Sequence, residues 1–168
     1  MRMNDPIPSG ARCFVDANVL AYALTDARDY TEPSRRFALR IETGELDAFS
    51  TLGVISDAIH ATMFAEAILR FGLETVSVRR FLKRNYWRIK ELTTFIKSAE
   101  SLLSSRIMCL PVDPADVLQA THVSREHGLL TNDALIVALM QSHGITHLAS
   151  NDDDFDHVPG ITVWKPRP

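Results

Sequence analysis

The chain has 168 residues, 46% hydrophobic and 23% charged, a composition typical of one soluble globular domain. The formal net charge of −3 and the pI near 6.0 exclude a generally basic surface, so a polyanion would have to be held by a local patch or a metal ion. No uninterrupted apolar run in the sequence approaches the roughly 20 residues that span a bilayer, and residues 1–10 lack the apolar stretch of a signal peptide. We therefore expect a cytoplasmic protein with no membrane partner, with residues 1–10 as a flexible tail and 11–168 as a single domain.

The first half of the chain predicts two strands, each followed by helix. An apolar strand over 12–15 ends at Asp16 and leads into residues with helical spacing. A Thr-Glu-Pro sequence then begins a helix over about 31–44, and a second short strand is predicted over 47–50. Apolar residues recur at steps of three and four over 53–70, which is the pattern of an amphipathic helix.

The second half begins with a helical segment at about 71–106, predicted as helices over 77–85 and 90–103. A strand over 107–110 follows, and a helix is predicted from residue 114 to residue 128.

Another helix and two strands complete the predicted elements. The helix covers 134–142, capped by Thr131 or Asn132, and the strands cover 147–150 and 161–164. Strands that alternate with helices indicate an α/β fold, here three α/β/α layers with a central, mainly parallel twisted sheet.

Several aspartates are placed to meet at the carboxyl edge of such a sheet, where ligands bind in open α/β folds. They are Asp16, Asp57, Asp133, Asp152 and Asp154. Two like charges about 4 Å apart repel by about 4 kcal/mol at an effective dielectric constant near 20, so a bound cation is the simplest explanation for such a cluster. Oxygen ligands alone select hard cations, which predicts Mg²⁺ or Mn²⁺.

Purely structural interpretations of these aspartates remain open. Asp16 could cap the helix that follows it, and Asp133 could be a first-turn charge favoured by the helix dipole. The run NDDDFD at 151–156 could be a solvated turn, and we expect Asp153 and Asp156 to be solvated.

Three segments resemble the PIN-domain ribonucleases, and the VapC-type toxins of toxin–antitoxin pairs in particular. They are FVDANVL at 14–20, NDALIVALMQSHGITHLASNDDDF at 132–155 and VPGITVW at 158–164. The resemblance implies a metal-dependent endoribonuclease that hydrolyses RNA phosphodiester bonds and leaves 5′-phosphate and 3′-hydroxyl ends. It also implies Mg²⁺ or Mn²⁺ as cofactor, RNA as substrate, an antitoxin protein as partner and a homodimer.

The resemblance assigns roles to individual residues. All five aspartates would bind metal, Asn18 and Ser150 would orient the ligands, and the catalytic aspartates would be Asp16, Asp57, Asp133 and Asp152.

Asp57 departs from the family pattern, which usually has glutamate at this position. Aspartate is shorter by one carbon–carbon bond, about 1.5 Å. The alternative hypothesis is therefore a catalytically weak or inactive PIN-like module that binds RNA or a protein partner. An aspartyl-phosphate phosphatase of the haloacid dehalogenase type is a third hypothesis, but that class has a second aspartate where this chain has Asn18.

The helical segment at 71–106 contains the main basic concentration of the sequence. Its basic residues are Arg79, Arg80, Lys83, Arg84, Arg88 and Lys90, and Phe81, Tyr86 and Trp87 lie among them. A continuous helix would align Arg80, Arg84 and Arg88 in one stripe. These residues could contact RNA phosphates while the aromatic rings stack on bases, or they could form a solvated helix face whose aromatic rings point into the core or a dimer interface.

Overall fold

Residues 6–167 are described by a computed structural model and form five strands and seven α-helices. The strands are β1 (Arg12–Val15), β2 (Asp47–Ser50), β3 (Met108–Cys109), β4 (His147–Ala149) and β5 (Thr162–Trp164). The helices are α1 (Ala17–Leu24), α2 (Thr31–Glu42), α3 (Leu52–Phe71), α4 (Thr75–Arg84), α5 (Thr94–Leu103), α6 (Pro114–His127) and α7 (Thr131–Ser142). Short 3₁₀ helices lie at Arg28–Tyr30, Tyr86–Glu91 and Asp153–Phe155.

The strands form one sheet in the order β3-β2-β1-β4-β5, and every neighbouring pair is parallel. In the central strand, Phe14 is in register with Phe49 of β2 and Leu148 of β4. Successive side chains of a strand point to opposite faces of the sheet. Phe14 therefore packs in a core with α6 and α7, whereas Cys13 and Val15 pack in a second core with helices α1, α2, α3 and α5.

Apolar helices cover both faces of the sheet, which explains why its strands read as short, continuous apolar runs. The predicted three-layer α/β/α fold is confirmed.

Helix α3 is the longest helix of the described part of the chain, at 20 residues. Among the described residues it is also the one helix long and apolar enough to cross a membrane, with a mean hydropathy of 1.4 over its most apolar window. Within this fold α3 packs against α1, α4 and α5 and carries Asp57 and Glu66. Its apolar residues therefore serve packing inside the domain.

The segment at 71–106 folds onto the end of α3 around a small core of its own, formed by Ala67, Val78, Leu82 and Leu92. The carboxylate of Glu66 accepts hydrogen bonds from the backbone N–H groups at the start of α5, at 2.8 Å from Thr93 and 2.9 Å from Thr94. A side chain of α3 thus caps α5.

The stripe of Arg80, Arg84 and Arg88 required a continuous helix, and the structure has none through Arg88. Helix α4 ends at Arg84, and the Asn85 side chain donates to the Phe81 carbonyl at 2.9 Å. Arg88 lies in the 3₁₀ helix that follows, with its guanidinium 5.1 Å from the centre of the Phe71 ring and 3.8 Å from Glu91. It therefore does not extend a stripe with Arg80 and Arg84.

Other boundaries also differ from the sequence-based expectation, among them the start of α5 at Thr94 rather than at residue 90. The final helix begins at Thr131 rather than at residue 134, with Leu130 at its N-cap, so Asp133 lies inside its first turn. The third strand is two residues long rather than four.

The predicted N-terminal tail, 1–10, is only partly covered by the structure, since residues 1–5 lie outside the described part. Ile7 is 2% exposed and belongs to the core around α1 and α2. The Arg40 guanidinium donates to the Ile7 carbonyl at 2.5 Å, and the Gly10 N–H donates to the Glu45 carbonyl at 2.8 Å. This end of the predicted tail is therefore packed against the domain.

Candidate functional site

Asp16 follows the central strand directly and lies at the carboxyl edge of the sheet. Its backbone N–H donates to the Ala149 carbonyl at 3.0 Å, which continues the pairing of β1 with β4 by one residue. Its side chain caps α1, because Oδ1 accepts a hydrogen bond from the Ala17 N–H at 2.6 Å. The capping role considered for Asp16 is therefore present, and it leaves Oδ2 for other partners.

Two polar side chains hold the second carboxylate oxygen of Asp16. Oδ2 accepts hydrogen bonds of 2.7 Å from the Asn18 amide and 2.7 Å from the Ser150 hydroxyl. Burial raises the pKa of Asp16, and the hydrogen bonds from Ser150, Ala17 and Asn18 oppose that effect. The carboxylate is thus fixed in orientation by three donors.

The same two side chains connect Asp16 to the chain after β4. The Asn18 carbonyl oxygen Oδ1 accepts a hydrogen bond from the Asn151 N–H at 3.0 Å, and Ser150 Oγ accepts one from the Asp152 N–H at 3.1 Å. The first and fourth strands therefore deliver Asp16 and Asp152 to one hydrogen-bonded network, as predicted for neighbouring parallel strands.

A cavity of about 390 Å³ opens at this edge and is lined by Asp16, Asp57 and Asp133. Asp57 is exposed on α3, and Asp133 is half-buried in the first turn of α7. Thr51 and Asn132 supply further polar groups, and Val54, Leu135, Ile136 and Leu139 supply apolar walls. Three of the five predicted aspartates thus face one cavity.

The charges of Asp152 and Asp154 act on Asp133 in the cavity. Burial, and after it the negative charges of Asp152, Asp16 and Asp154 in that order, together raise the pKa of Asp133 to about 6. Asp57 lines the same cavity but is not among the charges that raise the pKa of Asp133. No lysine or arginine within residues 6–167 forms an ion pair with any of the five.

The donor set fits a hard divalent cation. All the charged groups are carboxylates, and their mutual repulsion raises the pKa of Asp133, an effect that a cation would reverse. Across the described residues, no three histidine, cysteine or acidic side chains already converge closely enough to enclose an ion. A cation would therefore draw these carboxylates together or bind them partly through water.

Asp152 and Asp154 belong to a short 3₁₀ helix that is anchored at several points. Asp152 Oδ1 accepts a hydrogen bond from the Asp154 N–H at 2.9 Å, and Phe155 is fully buried. The Lys165 ammonium, on a residue 3% exposed, donates to Asp153 and to Asp156 Oδ2, the latter at 2.6 Å.

Asp153 and Asp156 are exposed, as expected, but each also has a charged partner. Both hold the Lys165 ammonium, and this contact, which we call the Lys165 clasp, ties the loop to the chain after β5.

Sequence reasoning did not identify Thr51 or Lys165. Thr51 caps α3, accepting a hydrogen bond from the Val54 N–H at 3.1 Å, and it also lines the cavity. Its signal was available, since a threonine just before an amphipathic helix is a common N-cap. Lys165 had no local signal, because its partners lie nine and twelve residues away across a turn.

The predicted basic residues lie apart from the cavity lining. Arg79, Arg80, Lys83 and Arg84 are all exposed on α4, and Arg88 lies in the following 3₁₀ helix. Of the neighbouring aromatic residues, Phe81 packs against Phe71 at 5.4 Å between ring centres, whereas Tyr86 and Trp87 are exposed.

The profile of the PIN domain matches residues 13–161, which is most of the chain. The chain belongs to the PIN domain family, and the family resemblance found in its sequence is confirmed. No curated protein matches the sequence.

Several solved structures share the fold. The VapC20 toxin of Mycobacterium tuberculosis, described as cleaving the sarcin–ricin loop, aligns over 93% of this chain and 99% of its own with a TM-score of 0.60 and 19% identity. A toxin–antitoxin complex from Klebsiella pneumoniae aligns over 92% and 97% with a TM-score of 0.52 and 15% identity. VapBC2 of Rickettsia felis, bound to a promoter DNA fragment, aligns over 92% and 98% with a TM-score of 0.52 and 14% identity. At these identities the likeness concerns the fold.

Proposed function

We propose that the protein is a metal-dependent endoribonuclease. The observation that carries the proposal is the cavity lined by Asp16, Asp57 and Asp133, in which Asp16 is held by Asn18 and Ser150. Membership of the PIN domain family supports a nuclease, and the described VapC20 activity on an RNA loop supports RNA as the substrate.

Asp16, Asp133 and Asp152 would hold Mg²⁺ or Mn²⁺, with Asp57 and Asp154 at its periphery. The chemistry that such a cation supplies is neutralisation of the phosphodiester and activation of a water molecule. The protein contributes the fixed orientation of Asp16 and a second carboxylate, Asp133, which is mostly ionised at neutral pH because its pKa is about 6. Hydrolysis by water would leave 5′-phosphate and 3′-hydroxyl ends.

The proposal is tested by cleavage of single-stranded and structured RNA in the presence of Mn²⁺ or Mg²⁺. We expect Asp16→Asn and Asp133→Asn each to lower the rate by more than about 100-fold, because each removes a charged ligand. Asp47→Asn is the matched control, since Asp47 lies at the opposite, amino end of the strands. Circular dichroism would verify that all three variants are folded, and full activity of both site variants would refute the assignment.

The Asp57→Ala variant distinguishes the hypothesis of an active enzyme from the alternative hypothesis of a weak or inactive module. A large loss of cleavage would mean that Asp57 serves the reaction despite its shorter side chain. Unchanged activity would remove Asp57 from the site, and a wild-type protein that binds RNA or Mn²⁺ without cutting would favour the inactive module.

We also propose an antitoxin as a binding partner. The Klebsiella and Rickettsia structures are complexes of this kind by description. This chain has a groove of about 250 Å³ between α1, α2 and α5, lined largely by apolar side chains such as Leu20, Phe37 and Leu102. The Ser34 hydroxyl in this groove is fully buried and has no hydrogen-bond partner in the described residues.

A protein encoded by the neighbouring gene should therefore co-purify with this chain and inhibit cleavage. Ala38→Arg places a long charged side chain in the groove and should release that partner without lowering the cleavage rate of the free protein. If Ala38→Arg still bound the partner, the groove would be excluded as its binding site.

A further inference from the structure

Four exposed cations lie close together on one side of α4: Arg79, Arg80, Lys83 and Arg84. We call this surface the α4 basic face. The opposite side of the helix carries Val78 and Leu82, which are buried in the small core beside α3. Packing therefore fixes the rotation of α4 and directs all four cations outward.

None of the four cations forms an ion pair with an acidic group in residues 6–167. Like charges at i and i+4, such as Arg80 and Arg84, repel one another and destabilise a helix. The helix dipole favours Lys83 and Arg84 in the last turn, but it does not account for Arg79 and Arg80. Helix stability alone therefore does not explain the α4 basic face, and an anionic ligand would.

The four cations converge on one open groove. They line a volume of about 480 Å³ together with Val76, whose side chain is 89% exposed. Cations that share a groove are suited to a linear polyanion, because successive phosphates can each meet a positive charge.

A row of side chains on one side of α3 leads from the aspartate cavity to this groove. Asp57 lines the cavity, and His60 and Phe64 follow it by three and seven residues on the same side of the helix. The His60 and Phe64 rings are 4.2 Å apart between centres, and the Arg79 guanidinium lies 5.9 Å from the centre of the Phe64 ring.

Seven residues of helix span about 10.5 Å. The basic face begins beyond Phe64, so a stacked strand, which advances about 3.4 Å per nucleotide, would need more than about three nucleotides to reach it from Asp57.

We propose that the α4 basic face binds the phosphate backbone of single-stranded RNA several nucleotides from the phosphodiester that occupies the aspartate cavity. RNA is the substrate under the proposed function, and the inference rests on that function. Backbone contacts position a strand without reading its sequence, so the face would raise affinity for RNA generally and leave the choice of cleavage site to other contacts.

The test compares two triple variants that remove the same charge. The α4 triple removes three of the four cations of the face by the substitutions Arg80→Gln, Lys83→Gln and Arg84→Gln. Arg79 is kept because it packs on Phe64. Arg36→Gln, Lys97→Gln and Arg125→Gln form the control triple, taken from exposed positions on α2, α5 and α6. Glutamine retains good helix propensity, and circular dichroism verifies the fold of both.

Affinity is measured by fluorescence anisotropy with a short labelled single-stranded RNA in EDTA, over a series of salt concentrations. Loss of three phosphate contacts should reduce the slope of log Kd against log salt by about 2, at about 0.7 per contact, and weaken binding at least about tenfold at low salt. The control triple should keep the wild-type slope. With Mn²⁺, the α4 triple should raise KM and retain kcat.

Each outcome separates this inference from the proposed function. If the wild type cuts RNA and the α4 triple matches the control in affinity and KM, the inference is overturned and the nuclease assignment stands. If the wild type does not cut RNA, the proposed function fails. The anisotropy data alone then show whether the α4 basic face binds RNA. Retained RNA affinity with loss of the neighbouring-gene partner would assign the face to a protein and overturn the inference.

Discussion

Asp133 has a charge state that is set by its neighbours, because burial and the charges of Asp152, Asp16 and Asp154 raise its pKa to about 6. An unfolded aspartate titrates near pH 3.9. Between about pH 4 and pH 6 the folded protein therefore binds more protons than the unfolded chain, and its free energy of unfolding falls as pH rises through this window.

We expect the metal-free wild type to lose thermal stability between about pH 4 and pH 6 for this reason, whereas Asp133→Asn should have a flatter profile over that range. Added Mn²⁺ should raise Tm more at neutral than at acidic pH, because protons compete for the carboxylates. Differential scanning fluorimetry with EDTA or Mn²⁺ measures both effects. An Asp133→Asn profile as steep as that of the wild type would contradict the assigned pKa.

Ser150 and Ser50 are two fully buried serines with different contacts. Ser150 donates to Asp16 Oδ2 at 2.7 Å, whereas Ser50 donates to the Val15 carbonyl at 3.0 Å and touches no aspartate of the site. We expect Ser150→Ala to lower Mn²⁺ affinity and cleavage by about 10–100-fold, because it frees the Asp16 carboxylate to reorient.

The Ser50→Ala variant provides the matched control. Both substitutions should lower the free energy of unfolding by a similar amount, about 1 kcal/mol, but Ser50→Ala should keep Mn²⁺ affinity. Isothermal titration calorimetry measures the affinity, and equal losses in the two variants would mean that Ser150 acts only through stability.

At the scale of elements, the loop after β4 depends on the Lys165 clasp. Lys165→Met keeps the length of the side chain but removes the charge that Asp153 and Asp156 hold. We expect a loss of about 1–2 kcal/mol in the free energy of unfolding, below the 3–5 kcal/mol of a fully buried pair, because the Asp153 side chain is 82% exposed.

Loosening this loop should also weaken Mn²⁺ binding by about tenfold, since Asp152 and Asp154 flank Asp153 in the chain. Urea unfolding and calorimetry measure the two effects. Lys97→Met on α5 is an exposed control that should change neither. Wild-type Mn²⁺ affinity in Lys165→Met would show that the loop keeps its place without the clasp.

Local patterns in the sequence were sufficient to predict most helices and strands, and to place the aspartates at the carboxyl edge of the sheet. Strands buried on both faces are short apolar runs, and β1 and β4 each end beside a member of the site, Asp16 and Ser150. The parallel sheet then places these chain ends together. The break between the helices predicted over 77–85 and 90–103 was also visible in the sequence, but the 3₁₀ helix at Tyr86–Glu91 and the hydrogen bond from Asn85 back to Phe81 were not predicted.

At the scale of the whole molecule, the unpredicted features are contacts between distant parts of the chain. Glu66 caps α5 from 27 residues away, and Lys165 reaches back across the turn to Asp153 and Asp156. In a polar stretch of sequence, no periodic pattern shows which distant residue a charged side chain will contact. Their geometry depends on the completed fold, which is why the sequence indicates that Asp153 and Asp156 are solvated but not that they bind Lys165.

The central strand has a kinetic consequence. Strand β1 is hydrogen-bonded on both sides, to β2 and β4, and the Asp16 amide extends that pairing to the Ala149 carbonyl. Amides at the centre of a buried parallel sheet exchange with solvent only through large-scale opening. The Phe14 and Asp16 amides should therefore be among the slowest to exchange deuterium, and the Asp154 amide, in an exposed turn, should exchange far sooner. Hydrogen exchange would then separate a rigid half of the site, built on β1, from a half that opens and closes locally.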